Sequence, residues 1–316
     1  MYKQVVTSYP NPDLDGVASS IIWSIILSRV QGIETTPVVF GSLDRETTFV
    51  LRTLDIHAPA IFDSCPPVSA IYIVDTHDPH QLDRSIPVDK VVAVLDHHPS
   101  GDVGAFPGAV VTNETVGAVA TLLAEQLLAK HISLEPKYIV LLNAAILSNT
   151  LNLKAPSTTT RDIDANISLS HNAPLPLDFY DRMLATRSIL DAVETTELLS
   201  NNYKEFSLAD TVVGIVQIEA ASAETVLNRP ELRDELYAFW KLRKPDVLFL
   251  TIVAIDTAKT YIVVVDDFAR TLLTKAVGLT FEDSFCVVNR IMLSKTDFIP
   301  RLASYFAAGG ADHAES

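Results

Sequence analysis

Cysteine is nearly absent: Cys65 and Cys286 are the only two in 316 residues, and they lie far apart. That count excludes a disulfide framework and a thiolate zinc site, and it fits a reducing compartment. Glycine (11) and proline (17) form no low-complexity tract, and no repeat recurs at a fixed period. Basic residues are also short, 24 Lys and Arg against 39 Asp and Glu, which leaves a net charge of -15 and a pI near 4.8. An acidic surface repels the phosphate backbone and anionic lipid, which argues against long nucleic acid and membrane surfaces as partners. A small phosphate-containing substrate stays open, because bound divalent cations invert the local field. No run of about 18 apolar residues occurs, so nothing is expected to span a membrane. Residues 1–6, Met1-Tyr2-Lys3-Gln4-Val5-Val6, read straight into a strand without a basic segment and long apolar stretch. The expectation is a cytoplasmic protein without a signal peptide.

What is present is the composition of a globular protein, 48% hydrophobic and 20% charged, at a length that accommodates two packed domains. Short apolar runs at 4–8, 36–40, 70–74 and 90–95 alternate with amphipathic stretches at 17–30, 46–54 and 116–129. An apolar stretch at 137–147 suits a buried helix. This alternation predicts an α/β domain, a parallel sheet with helices on both faces. A helical stretch over 191–200 leads to the polar segment Asn201-Asn202-Tyr203-Lys204, read as part of a connection. Beyond it, strands are predicted at 211–219, 247–255 and 260–265 and a helix over 231–242. A hairpin is expected around Asp256-Thr257-Ala258-Lys259. The expected organisation is a catalytic domain at 1–190, a linker at 191–199, and a smaller α+β domain with a mixed sheet at 200–316.

Three predicted strands end in polar clusters, at 9–15, 75–80 and 96–98. Ligands of open α/β sheets bind at the carboxyl ends of strands, so acids distant in sequence converge on one rim. Asp13-Leu14-Asp15-Gly16 reads either as two carboxylates facing hard cations or as a turn with helix-capping aspartates. Asp75, closing an apolar strand, has the same two readings. Asp96-His97-His98 is more specific: it combines a metal ligand, a general acid and a carboxylate that orients an imidazole.

Asn-Pro-Asp-x-Asp at 11–15, a strand-end Asp75 and Asp96-His97-His98 at these separations resemble the DHH phosphoesterase superfamily. By layout the chain is most similar to its family II (manganese-dependent) inorganic pyrophosphatases and the related exopolyphosphatases. The likeness continues through 116–121, Asn143 to Thr150, Lys154 to Thr158, 203–206, 214–217 and Lys295 to Pro300. It implies two Mn²⁺ or Mg²⁺ ions bridged by Asp75, one held by Asp13 and the other by Asp15 and His97. Asp96 would orient a histidine and His98 would protonate the leaving phosphate. Two such ions about 3.5–4 Å apart activate a shared hydroxide. Lys204 and Lys295 would bind substrate phosphates, domain closure would complete the site, and the protein would be a homodimer.

Three positions depart from the family pattern. Tyr9 stands where a metal-binding histidine is expected, Asn149 where an aspartate ligand is expected, and Leu293-Ser294 removes a phosphate-clamping arginine. A phenol with a reference pKa of about 10 is a poor ligand when neutral. Asn149 offers a metal its carbonyl without charge, and Lys295 is only a point charge. His77, Asp78 and His80 are either substitute ligands or a polar turn. The expected activity is hydrolysis of a phosphoanhydride, pyrophosphate or short polyphosphate. The alternatives are a catalytically weakened member that binds a phosphorylated ligand as a sensor or partner, or a phosphatase or nanoRNase acting on small nucleotides.

Overall fold

A computed structural model describes residues 4–65, 67–187 and 193–309. The chain divides into two compact units, Met1–Thr186 and Arg187–Ser316.

The first unit is built on six strands: β1 (Gln4–Thr7), β2 (Thr36–Phe40), β3 (Ala60–Phe62), β4 (Ala70–Val74), β5 (Val91–Asp96) and β6 (Val110–Asn113). They pair in the order β3-β2-β1-β4-β5-β6, and every pair is parallel. Six helices accompany them: α1 (Leu14–Ile26), α2 (Arg45–Thr53), α3 (Val119–Ala129), α4 (Pro136–Asn149), α5 (Thr160–Asn172) and α6 (Phe179–Arg187). Alternate strand residues split the core in two. Val6, Val39, Tyr72, Val74 and Leu95 pack with buried side chains from all six helices. Val5, Val38, Phe40, Ile71 and Ile73 face the other way, onto Leu82, Ile86 and Phe106 from loops and single 3₁₀ turns. The helical cover expected on both faces is therefore α-helix on one face and short turns on the other.

Chain order reverses beside β1: β2 and β3 lie to one side, β4, β5 and β6 to the other. The loops that leave β1 and β4 thus diverge, and an open parallel sheet forms its ligand crevice at such a point. Both loops carry acids, Asp13 and Asp15 after β1 and Asp75 after β4.

The second unit is a five-stranded mixed sheet of β7 (Tyr203–Leu208), β8 (Thr211–Ala220), β9 (Val247–Ala254), β10 (Lys259–Val264) and β11 (Phe285–Val288), ordered β11-β10-β9-β8-β7. Only β8 and β9 pair in parallel, joined through α8 (Glu224–Leu227) and α9 (Leu232–Arg243); the other pairs are antiparallel. β9 is buried at all eight positions, as a central strand covered on both faces must be. One face packs on α7 (Thr195–Asn201), α8 and α9, and the other on α10 (Asp267–Val277) and α11 (Ile299–Ala307). The expected hairpin joins β9 to β10, with Ala258 at φ 52° in its turn. Two local expectations change. The 191–199 segment is helical from Thr195, with 191 and 192 outside the described residues, and Tyr203-Lys204 opens the edge strand β7 instead of connecting domains.

Candidate metal centre

Asp13 and Asp15 are placed by the first turn of α1. Asp13 is its N-cap, and Asp13 Oδ1 accepts the Asp15 and Gly16 N–H groups at 3.0 and 3.2 Å. The capping reading of this residue is therefore realised, which leaves its other oxygen for a ligand. Asp15 is fully buried. Its Oδ2 accepts the Val119 N–H at 2.8 Å and its Oδ1 the Ala120 N–H at 2.9 Å. These amides begin α3, whose N-cap is Ala118, a residue with no side-chain acceptor. Helix N-termini leave their first N–H groups unpaired, so Asp15 caps α3 from another helix. Burial pushes its carboxyl up to about 6; the charge of Asp13 adds to this, while His97 and the two amides oppose it.

Asp75 follows β4 at φ 64°, a left-handed conformation that costs a residue with a Cβ about 1 kcal/mol. Its N–H donates to the Leu95 carbonyl at 2.9 Å. That turn aims the carboxylate at the residues ending β5. Asp96 is buried, and its Oδ1 accepts the His97 N–H at 2.7 Å and the His98 Nδ1–H at 2.8 Å. Asp96 Oδ2 bonds the ring Nδ1 of buried His77. Burial alone would raise the Asp96 carboxyl, but the His98 and His77 rings outweigh it and hold it at about 2.

His97 donates from Nδ1 to the Val116 carbonyl at 2.8 Å, which turns Nε2 toward Asp75 Oδ1 at 3.3 Å. The two form an ion pair without the alignment of a hydrogen bond: Asp75 Oδ1 and His97 Nε2 are both buried, and neither has a hydrogen-bond partner. A backbone carbonyl fixing one ring nitrogen while the other points at a carboxylate is the usual setting of a metal-ligating imidazole. Burial, and then the Asp15 charge, push Asp75 well above the carboxylate range. His97 sits near 10, because Asp75 and Asp15 outweigh the burial that would lower it. A divalent cation relieves both strains, so these two orphaned atoms fit one. Donor atoms of Asp75, Asp96, His97 and His98 all lie within 4.8 Å of one another.

Tyr9 and Asn149, the two departures in ligand type, border the same acids. The Tyr9 hydroxyl accepts the Asp13 N–H at 3.4 Å. Burial first, then the charges of Asp13 and Asp75, drive its pKa far up, so the phenol is neutral. Asn149 ends α4, and its Nδ2 donates to Asp15 Oδ2 at 3.2 Å and to the Gly117 carbonyl at 2.9 Å. Gly117 is tightly held: a Cβ there would meet Thr150 Cγ2 at 2.6 Å and Asp162 Oδ2 at 2.9 Å.

Of the three candidate substitute ligands, Asp78 caps a 3₁₀ turn by accepting the His80 N–H, and His80 is exposed, so both make a polar turn. His77 is committed to Asp96, a role that sequence reasoning did not assign. Its only sequence signal is a histidine two places after a strand-end aspartate. Lys204, on β7, and Lys295, in the turn Ser294–Phe298, are exposed residues of the second unit.

The parallel-sheet unit with this Asp–His rim, followed by a mixed-sheet unit, has the layout of the DHH phosphoesterases, which the chain resembles, and residues 181–305 match the DHHA2 domain. The chain also resembles the family II inorganic pyrophosphatases along nearly its whole length. It is 29% identical over 311 residues to a Deinococcus radiodurans protein named "Probable manganese-dependent inorganic pyrophosphatase", covering 96% of this chain and 98% of that one. A Clostridium acetobutylicum protein of the same name is 26% identical over 303 residues, 95% of this chain and 96% of its own. Among solved structures, a Methanococcus jannaschii protein assigned to the family II inorganic pyrophosphatases superposes with a TM-score of 0.74 at 25% identity, covering 96% of this chain and 99% of that one. An exopolyphosphatase-related protein from Bacteroides fragilis, 13% identical with a TM-score of 0.51 over 97% of this chain and 93% of its own, shares the fold.

Proposed function

We propose that this chain is a metal-dependent phosphohydrolase that cleaves a phosphoanhydride bond, with pyrophosphate or a short polyphosphate as substrate. The observation that carries the reading is the buried pair Asp75 Oδ1 and His97 Nε2, without a hydrogen-bond partner beside a histidine oriented by a carboxylate. A bound Mn²⁺ or Mg²⁺ supplies phosphate charge neutralisation and makes water a nucleophile near neutral pH. The remaining steps belong to the chain. His98, half-buried, donates from Nδ1 to Asp96, which leaves Nε2 as the atom that delivers a proton to the departing phosphate. Asp96 fixes that tautomer, and His77 fixes Asp96. Lys204 and Lys295 are proposed phosphate contacts, binding as point charges. The resemblance implies two cations bridged by Asp75; Asp75 and His97 turn toward them atoms free of hydrogen bonds, whereas both Asp15 oxygens already accept hydrogen bonds.

The similarity to named pyrophosphatases supports this substrate class. It extends the proposal to a cytoplasmic homodimer, which sedimentation and fractionation test. Among the described residues no helix is long and apolar enough to cross a membrane. A second reading, a weakened member that binds a phosphorylated ligand without turnover, is favoured by neutral Tyr9 and by Asn149 on Asp15. Phosphate release from pyrophosphate, tripolyphosphate and a nucleotide panel, with Mn²⁺ or Mg²⁺, separates the two. Metal-dependent release abolished in Asp75→Asn supports the hydrolase. Silence across the panel, with thermal stabilisation by one of these compounds, establishes the second reading instead.

A further inference from the structure

From the edge strand β11 the chain returns across one end of the second sheet. Thr260 Oγ1, near the start of β10, donates to the Arg290 carbonyl at 3.0 Å and accepts the Met292 N–H at 2.8 Å. Two residues on, the Ser294 N–H donates to Gln217 Oε1 of β8 at 2.6 Å. Residues 290–294 thus cross from β10 to β8, two strand spacings or about 10 Å.

The crossing ends beside two lysines. Val213 and Ile215 of β8 pack with α10 and α11, and alternation puts Gln217 on the same face. Its Nε2 donates to Glu219 Oε1 at 3.1 Å, which orients the amide for Ser294. Lys204 of β7 sits opposite Ile215 in register, diagonal to Gln217, and so lies on this face too. Lys295 follows Ser294 at the start of the turn.

Arg290 reaches toward the same turn. Its Nη1 donates to Asp297 Oδ1 at 2.6 Å, while Asp297 Oδ2 accepts the Leu293 N–H at 3.0 Å and Thr296 Oγ1 at 2.9 Å. One carboxylate therefore pins the guanidinium against the backbone at Leu293, next to Ser294-Lys295. Nε and Nη2, the edge that binds two oxygens at once, have no hydrogen-bond partner among the described residues, and the side chain is 43% exposed. Three cations meet two acids here, Glu219 and Asp297, and both acids already accept hydrogen bonds. This is a positive locality in a chain whose net charge is -15.

We propose that Arg290 is a phosphate-binding residue of the second unit, its Nε–Nη2 edge taking two oxygens of one substrate phosphate beside Lys204 and Lys295. It supplies from outside the turn the planar, bidentate contact that Leu293-Ser294 cannot make. The inference rests on the phosphohydrolase reading above for the kind of ligand, and not for its turnover.

The test is binding of inorganic pyrophosphate to the whole chain, measured by calorimetry after metal removal and as KM for phosphate release with Mn²⁺ restored. Arg290→Gln is expected to raise Kd and KM by roughly 10–100-fold, the worth of charge-assisted hydrogen bonds, with kcat changed far less and Mn²⁺ affinity unchanged. Arg290→Lys keeps a charge for Asp297. It is expected to recover only part of the loss, because an ammonium lacks the planar edge. A lowered melting temperature in Arg290→Gln with Kd and KM per folded molecule unchanged marks a purely structural ion pair and overturns the inference. Arg290→Lys binding pyrophosphate as tightly as wild type overturns it as well. Where Arg290→Gln does not fold, Arg290→Lys decides alone. Wild type with neither pyrophosphate binding nor a measurable KM also overturns it. Pyrophosphate that binds wild type without phosphate release, and binds the variants more weakly, leaves the inference standing and contradicts the hydrolase reading.

Discussion

His98 donates from Nδ1 to Asp96 Oδ1 at 2.8 Å, and the second oxygen of the same carboxylate is held by the buried ring of His77. One aspartate therefore sets the tautomer of the half-buried His98 and is itself kept in place from behind. His98→Ala is expected to lower kcat by ~10²–10⁴, the usual contribution of a positioned general acid, with a smaller change in KM. Steady-state kinetics on the substrate identified by phosphate release check this, and an unchanged kcat contradicts it.

His77 acts through Asp96 and is a positioning residue. His77→Phe keeps ring volume and removes the hydrogen bond, and we expect a ~10–100-fold loss of kcat, in the range seen when groups that orient a ligand or acid are removed. His77→Asn, which retains a donor, is expected to recover part of the loss. A purely structural role would show instead as a lowered melting temperature with kcat per folded molecule unchanged.

Asp162 links the helices to the candidate metal rim. It is buried, its two oxygens accept the Gly117 N–H, and it also receives Thr121 Oγ1 at 2.6 Å and the Thr159 N–H at 2.7 Å. Asp162→Ala leaves these donors unpaired and is expected to cost about 3 kcal/mol in urea unfolding. Because Gly117 carries the carbonyl that Asn149 uses, the same variant is expected to loosen Asn149 from Asp15.

The second unit contains an acid-sensitive contact. Asp297 accepts from Arg290 Nη1 at 2.6 Å, the Leu293 N–H at 3.0 Å and Thr296 Oγ1 at 2.9 Å. Burial alone would raise its carboxyl, but the Arg290 bond and the other donors outweigh it and hold it below the ordinary range. A carboxyl depressed in the folded state contributes stability above its unfolded value of about 3.9, lost as pH falls through the folded value. Asp297→Asn is expected to cost about 2 kcal/mol at neutral pH, with the difference from wild type shrinking in acid. A difference that is constant with pH contradicts this assignment.

Residue types at strand ends were enough to assemble the rim from sequence, because a parallel sheet brings every carboxyl end to one side. Asp75 and Asp96-His97-His98 end β4 and β5 as the alternation of apolar runs implied. The commitments of those side chains were not legible. Asp15 is tied to amides 104 and 105 residues away, and His77 to an acid on the next strand; no local pattern encodes either contact. Tyr203-Lys204 reads as part of a connection because an edge strand with outward polar residues lacks the apolar run of a central strand such as β9. The short outer strands β3, β6 and β11 escaped for a related reason, being three or four residues long.

Mn²⁺ binding to the chelator-stripped wild-type chain, compared with Asp75→Asn and read together with phosphate release, tests the central claim most directly. The account predicts that wild type binds Mn²⁺, that Asp75→Asn does not, and that phosphate release appears only when the ion is bound. Equal Mn²⁺ binding by both proteins, or phosphate release that survives in Asp75→Asn, would contradict it.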